Sequence, residues 1–392
     1  MNDTPVTPPV KSGVKAPEGT REGAAPRFVT GSIFRHILNM TALGALGLMA
    51  LFMGDLANRL FLGQLGDEKI LAAIGYAGSV LFFATSVGIG LSIAATSVVA
   101  PAIGARDREA ARRLSASAHV FSAGVAIAVT ALVWPLIPAL LAAMGAKGQT
   151  AALATTYLRI LVPSMPLLAV GMCSSSVLRS VGDARRATSI TLIGAIVNVI
   201  LDPIFIFVMH WDLAGAAYAS FIARIAMCAM GLWGVIKVHN LMAWPSAASV
   251  QRDAARIGMV AVPAVLTNIA TPVSNAYTTA TISTFGDGSI AAWAAYGALS
   301  PVAFGAIFAL TGAIGPIIGQ NLGAGKIDCG ADSHRCTQGD GWLHACGLDR
   351  TRSDRTGDGA SVWLDRRRRR ASDLRLPLAV AVVCVPRCAV RV

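Results

Sequence analysis

Charged side chains are scarce. They form 14% of the 392 residues, whereas a soluble domain carries about 25%. Hydrophobic residues form 54% and mean hydropathy is +0.60. The chain therefore reads as an integral membrane protein, with the lipid bilayer as its first partner. The net charge of +12 then speaks to topology, and no nucleic-acid partner is expected. Cysteine is thin where a disulfide framework would need it. Cys173 and Cys228 lie in apolar segments, and the other five of the seven follow residue 328. Residues 1–34 hold Pro, Gly, Lys and Arg but no apolar core. They lack the apolar core of a cleaved leader, so they read as a disordered cytoplasmic tail and the first apolar segment as the insertion signal.

Enzyme signatures are missing too. Lys326 ends Gly323-Ala324-Gly325-Lys326, but Ile327 follows it and Gln320 stands where a phosphate loop has its first glycine. Gly88-Ile89-Gly90 has no third glycine and sits in a hydrophobic helix. The six His are scattered. Nothing points to hydrolysis, a cofactor or ATP use, so the chain is not read as an enzyme, and any work it does draws on an ion gradient.

What the sequence has is long apolar runs. They recur at about 38–62, 70–103, 114–145, 152–178, 188–209, 213–236, 257–284 and 290–319, each long enough to cross a bilayer. This predicts an all-α integral membrane protein, a polytopic helix bundle. Connections alternate in charge. Arg106, Arg108, Arg112 and Arg113 follow the second run; Arg179, Arg185 and Arg186 follow the fourth; Lys237, Arg252 and Arg256 follow the sixth. The opposite connections hold only Lys69 and Lys147. Lysine and arginine stay inside, which places the N-terminus in the cytoplasm.

The chain also repeats itself. Gly66-Asp67 through Ile70, Ala72 and Tyr76 matches Gly286-Asp287 through Ile290, Ala292 and Tyr296 at a spacing of 220 residues. Pro101-Ala102-Ile103-Gly104 matches Pro316-Ile317-Ile318-Gly319. Both copies run in the same direction, as in transporters built from parallel halves. The division expected is a tail at 1–34, a six-helix lobe at 35–240, and the first two helices of a second lobe at 241–326. Beyond residue 327 the character breaks, with Arg366 to Arg370 and scattered Cys in place of apolar runs. Residues 327–392 read as truncated or frame-shifted, non-native coding. On that reading the chain is an inactive membrane fragment of a transporter.

Asn198-Val199-Ile200-Leu201-Asp202-Pro203 falls inside the fifth apolar run. A carboxylate is expensive there, which makes it a functional-site candidate. Asn198 and Asp202 are four apart and share a helical face. Pro203 removes a backbone donor and crowds the Val199 carbonyl, opening the helix beside the acid. Such a pocket suits a proton or a metal cation; a buried Asp held for packing alone is the plainer alternative. In the first run, Asp55 and Asn58 are three apart, and Arg59 either snorkels outward or pairs with Asp55. Ser220 is a further ligand candidate in the sixth run. Arg224, near the middle of that run, needs a partner or a water cavity, which makes it a possible charge in the lumen. Pro163 and Pro166 are expected to kink the fourth run.

Leu60 to Gly66 with Ala72-Ala73-Ile74-Gly75, Leu178-Arg179-Ser180-Val181-Gly182-Asp183, Asn198 to Phe207, and Ile318-Gly319-Gln320-Asn321-Leu322-Gly323 follow one another in this order. This combination, across about residues 35–326, resembles the multidrug and toxic compound extrusion (MATE) family, in its prokaryotic branch related to DNA-damage-inducible transporters. The resemblance implies two six-helix lobes that open alternately, working as a monomer in the bacterial inner membrane. It implies export of amphipathic or cationic small molecules by antiport with protons or sodium. A lipid-linked precursor flippase of the same superfamily is the alternative. The family's cation site falls on Asn198, Asp202 and Ser220. In the first run its usual Asp falls on Asn58, with Asp55 one turn earlier, so the helix-one ligand departs from the pattern.

Overall fold

The structure is a computed structural model and describes residues 26–29, 33–64, 66–244 and 246–326. The Arg- and Cys-rich stretch 327–392 and most of the N-terminal tail lie outside the described residues. Among those described, the chain is helical throughout: α1 (Ile33–Gly63), α2 (Glu68–Gly104), α3 (Arg108–Ala143), α4 (Gly148–Leu161), α5 (Met165–Val181), α6 (Ala184–Pro203), α7 (Asp212–Trp233), α8 (Ala247–Ile282) and α9 (Asp287–Gly323). A 3-10 turn at Val162–Ser164 joins α4 to α5 in one span, and Pro163 explains the break, because it has no N–H to continue the ladder. Among the described residues seven spans are long and apolar enough to cross a membrane, and α9, of 37 residues, matches them in length.

Short polar turns start and stop these helices. Asp67, Asp107 and Asp183 cap α2, α3 and α6 by accepting from the N–H groups of Lys69, Ala110 and Arg186. A side-chain oxygen there satisfies an amide that the first helical turn leaves free. Gly182 ends α5 with φ 87°, a left-handed conformation that glycine adopts without strain.

The basic turns gather on one face of the bundle. Arg108 donates to the His239 carbonyl, His239 pairs with Asp183, and the Ala243 N–H donates to the Arg112 carbonyl. Asp183 also pairs with Arg186. Partial burial works against its charge, but the His239 and Arg186 hydrogen bonds prevail and hold its carboxyl well below the usual carboxylate range. The opposite face joins other turns, through Lys69 Nζ to Gln149 Oε1 at 3.0 Å and through Ser283 against Gly145.

Helix α2 is the hub, packed on α3, α4, α5, α8 and α9, while α1 lies between α6 and α9. Helices α8 and α9 barely touch each other and rest instead on α2 and α1. At the basic face α2 and α9 cross reciprocally. A Cβ on Gly104 would overlap the Gln320 carbonyl, and one on Gly323 would overlap the Pro101 carbonyl. Only residues without a side chain permit so close an approach.

Candidate functional site

Helix α6 turns Ala195, Asn198 and Asp202 inward, and all three are buried, while Ile196 and Ile200 face out. The helix then widens into a π-turn at Ile204–Val208, directly after Pro203, where a proline interrupts the regular ladder. Asp202 is 0% exposed. Neither of its carboxylate oxygens has a hydrogen-bond partner, and Asn198 Oδ1 has none either. The possible hydrogen bond from Asn198 to the carboxylate is therefore not made. Buried polar atoms are nearly always partnered. Three unpartnered oxygens on adjacent turns form an acceptor-only cradle, suited to a proton or to a hard cation such as sodium.

Helix α1 supplies the second wall. Asn58 is buried and lies against the Asp202 carboxylate, short of hydrogen-bond geometry. Asp55 is exposed by comparison, yet it lies within electrostatic reach of Asp202, Arg59 and Arg224. The two α1 candidates thus reach the site from different degrees of burial.

One expectation for the arginines needs correcting. Arg59 neither forms an ion pair with Asp55 nor snorkels outward. Its Nη1 donates to the Ala294 carbonyl of α9 at 2.7 Å, because the α1–α9 contact brings a bare acceptor within reach. Arg224 does find its partners, and they are neutral. Its Nη1 donates to Ser164 Oγ at 2.8 Å and to the Leu161 carbonyl at 3.2 Å, the acceptors left over at the α4–α5 break. Ser220 is half-buried on α7, and it does not bond Asp202.

Sequence reasoning missed Tyr157. It is buried on α4 and lies within electrostatic reach of Arg224, Asp55, Asp202 and Arg59 together. Its signal was a hydroxyl in an apolar run, since a buried tyrosine O–H usually seeks a partner. No group of three or more metal-ligating His, Cys, Asp or Glu occurs among the described residues.

The chain is similar to known proteins in sequence and in fold. The MatE family matches residues 45–204, which contain Asp55, Asn58, Asn198 and Asp202. A FAD transporter of Shewanella oneidensis is 28% identical over 306 residues, spanning 76% of this chain and 67% of its own. The multidrug export protein MepA of Staphylococcus aureus is 25% identical, spanning 51% of this chain and 44% of its own. The fold superposes on a MOP superfamily transporter from Pyrococcus furiosus with TM-score 0.70 and 22% identity, covering 83% of this chain and 71% of the other. It also superposes on a multidrug resistance MATE family transporter in an outward-facing conformation, with TM-score 0.69 and 22% identity, over the same shares of the two chains. The MatE match and the similarity to these transporters support a transporter of the multidrug and toxic compound extrusion (MATE) family.

Proposed function

We propose that the chain is a secondary active exporter that moves amphipathic or cationic small molecules outward in exchange for protons or sodium ions. The observation that carries this reading is the buried Asp202 carboxylate with both oxygens unpartnered. A fixed anionic acceptor in a membrane span is expensive, and a returning cation relieves that expense. Asn198 adds an amide oxygen beside it, Asn58 turns its amide toward the carboxylate, Asp55 adds a second carboxylate within electrostatic reach, and Ser220 remains the outlying candidate. The activities of the relatives, FAD transport in one and multidrug export in the other, support an amphipathic cargo. The basic face, which carries the Lys and Arg of the turns, is proposed to be cytoplasmic, with the membrane being the bacterial inner membrane.

Loading the site with a cation and releasing cargo become alternatives if each favours a different opening of the same interior. In that scheme no residue forms a covalent bond: Asp202 takes up and gives back the ion, and Asn198 and Asn58 orient it. The test is efflux. Cells expressing the chain should accumulate less of a fluorescent cationic dye than vector-bearing cells, in a gradient-dependent way, and Asp202→Asn should remove the difference while the protein still inserts. Equal accumulation in expressing and vector cells would overturn the exporter reading in favour of an inactive fragment. Undiminished efflux by Asp202→Asn would overturn the site.

A further inference from the structure

The stretch Gln320 to Lys326 failed as a phosphate loop, and the cation site does not use it. In the structure it grips the chain's own N-terminal segment. The Phe28 N–H donates to Gln320 Oε1 at 3.0 Å, and Asn321 Nδ2 donates to the Phe28 carbonyl at 3.1 Å. Lys326 Nζ donates to the Val29 carbonyl at 2.6 Å. Gln320 Nε2 reaches the other way, to the Ser180 carbonyl at the end of α5, at 2.6 Å. Both amides are buried, and the Asn321 amide is held in place by a second hydrogen bond to the Ile317 carbonyl.

The Phe28 ring is the anchor. It is 4% exposed and packs in one cluster with Met40 of α1, Ala184 of α6, and Ala313 and Ile317 of α9. Arg27 and Phe28 both lie against Gly182, at the α5–α6 turn. The slot therefore has one wall from the α1–α7 group and the other from α9. Directly beside it is the close α2–α9 crossing of Gly104 and Gly323.

We infer that Pro26–Val29 is a strap that holds the basic mouth of the α2–α9 seam shut and must leave its slot before that side opens. The reason is geometric. Any movement of α9 away from α5 and α6 separates Ala184 and Ser180 from Gln320 and Ala313, so the slot exists only while the seam is closed. Occupying it stabilises the closed arrangement by mass action, as any ligand of one state does. The hold is reversible, because it consists of one aromatic anchor and three hydrogen bonds to a short segment. The inference is independent of which ion or cargo the chain carries.

The test uses the full chain, purified into nanodiscs so that both faces are accessible. The seven native cysteines are replaced and Thr96→Cys is introduced, at a position that touches Gly315 across the seam. Alkylation by a maleimide should be slow in this background. It should rise at least tenfold in Phe28→Ala and in a variant lacking residues 1–29. A synthetic peptide of residues 20–32 added to the deletion variant should restore slow alkylation, and the same peptide carrying Phe28→Ala should not. Unchanged rates in both variants would overturn the strap. So would a faster rate in the deletion variant that the peptide leaves unaltered, because that marks general loosening.

Discussion

The two ends of the bundle treat their buried acids and amides in opposite ways. At the basic face Asp183, Asp253, Gln320 and Asn321 are all buried and all partnered. Asp253 takes a hydrogen bond from Ser117 at 2.9 Å and an ion pair from Arg113 at 3.4 Å, and Asp183 is held by His239 and Arg186. At the acid site Asp202 and Asn198 are equally buried, yet their oxygens are bare. A satisfied buried group fixes structure; an unsatisfied one stores a demand that a ligand can meet. On the proposed reading, the difference separates the part of the molecule that holds it shut from the part that takes up an ion.

Substitutions should therefore act in opposite directions at the two ends. The largest effect belongs to Asp202→Asn, which should bring dye efflux down to vector level. The next belongs to Gly104→Val. Its side chain would occupy the position of the Gln320 carbonyl, so the α2–α9 crossing must separate, at a cost of about 1–3 kcal/mol in thermal or denaturant unfolding. Asp202→Leu should do the reverse and raise stability by about 1 kcal/mol or more, since it removes an unpartnered buried acceptor. A loss of stability there would show that the carboxylate is structurally satisfied.

Asp183→Asn should lower stability by about 1 kcal/mol at neutral pH, through loss of charge-assisted hydrogen bonds. The Asp183 carboxyl titrates below its unfolded value of about 3.9 in the folded chain. Its contribution is therefore present in full well above that value and is lost as pH falls through the folded one. Melting curves of the parent and of Asp183→Asn should differ at neutral pH and converge in acid. The smallest effect is expected for Ser220→Ala, less than twofold in efflux, because its hydroxyl makes no bond to Asp202.

Much of this contrast was legible from residues alone. Asp202 and Asn198 stood out because polar side chains in an apolar run must face inward, and the structure buries both. The helix caps at Asp67, Asp107 and Asp183 went unread, although each is an Asp directly ahead of its helix. Tyr157 was missed because its neighbours come from α1, α6 and α7, and no local pattern encodes them. Arg59 was misjudged for a similar reason: spacing offered Asp55, whereas packing of α1 on α9 offered the Ala294 carbonyl. Pro26–Val29 sits in a stretch whose composition suggests a solvated tail, and one aromatic residue, Phe28, docks it. Long-range contacts of this kind have no sequence period to reveal them.

Carbodiimide modification of Asp202 tests the central claim most directly. Dicyclohexylcarbodiimide attacks protonated carboxyl groups in apolar surroundings, and peptide mass spectrometry locates the adduct. The account predicts modification at Asp202 in the reconstituted chain that diminishes when pH is raised or when sodium is added. No adduct at Asp202 under any condition, or an adduct indifferent to both protons and sodium, would contradict it.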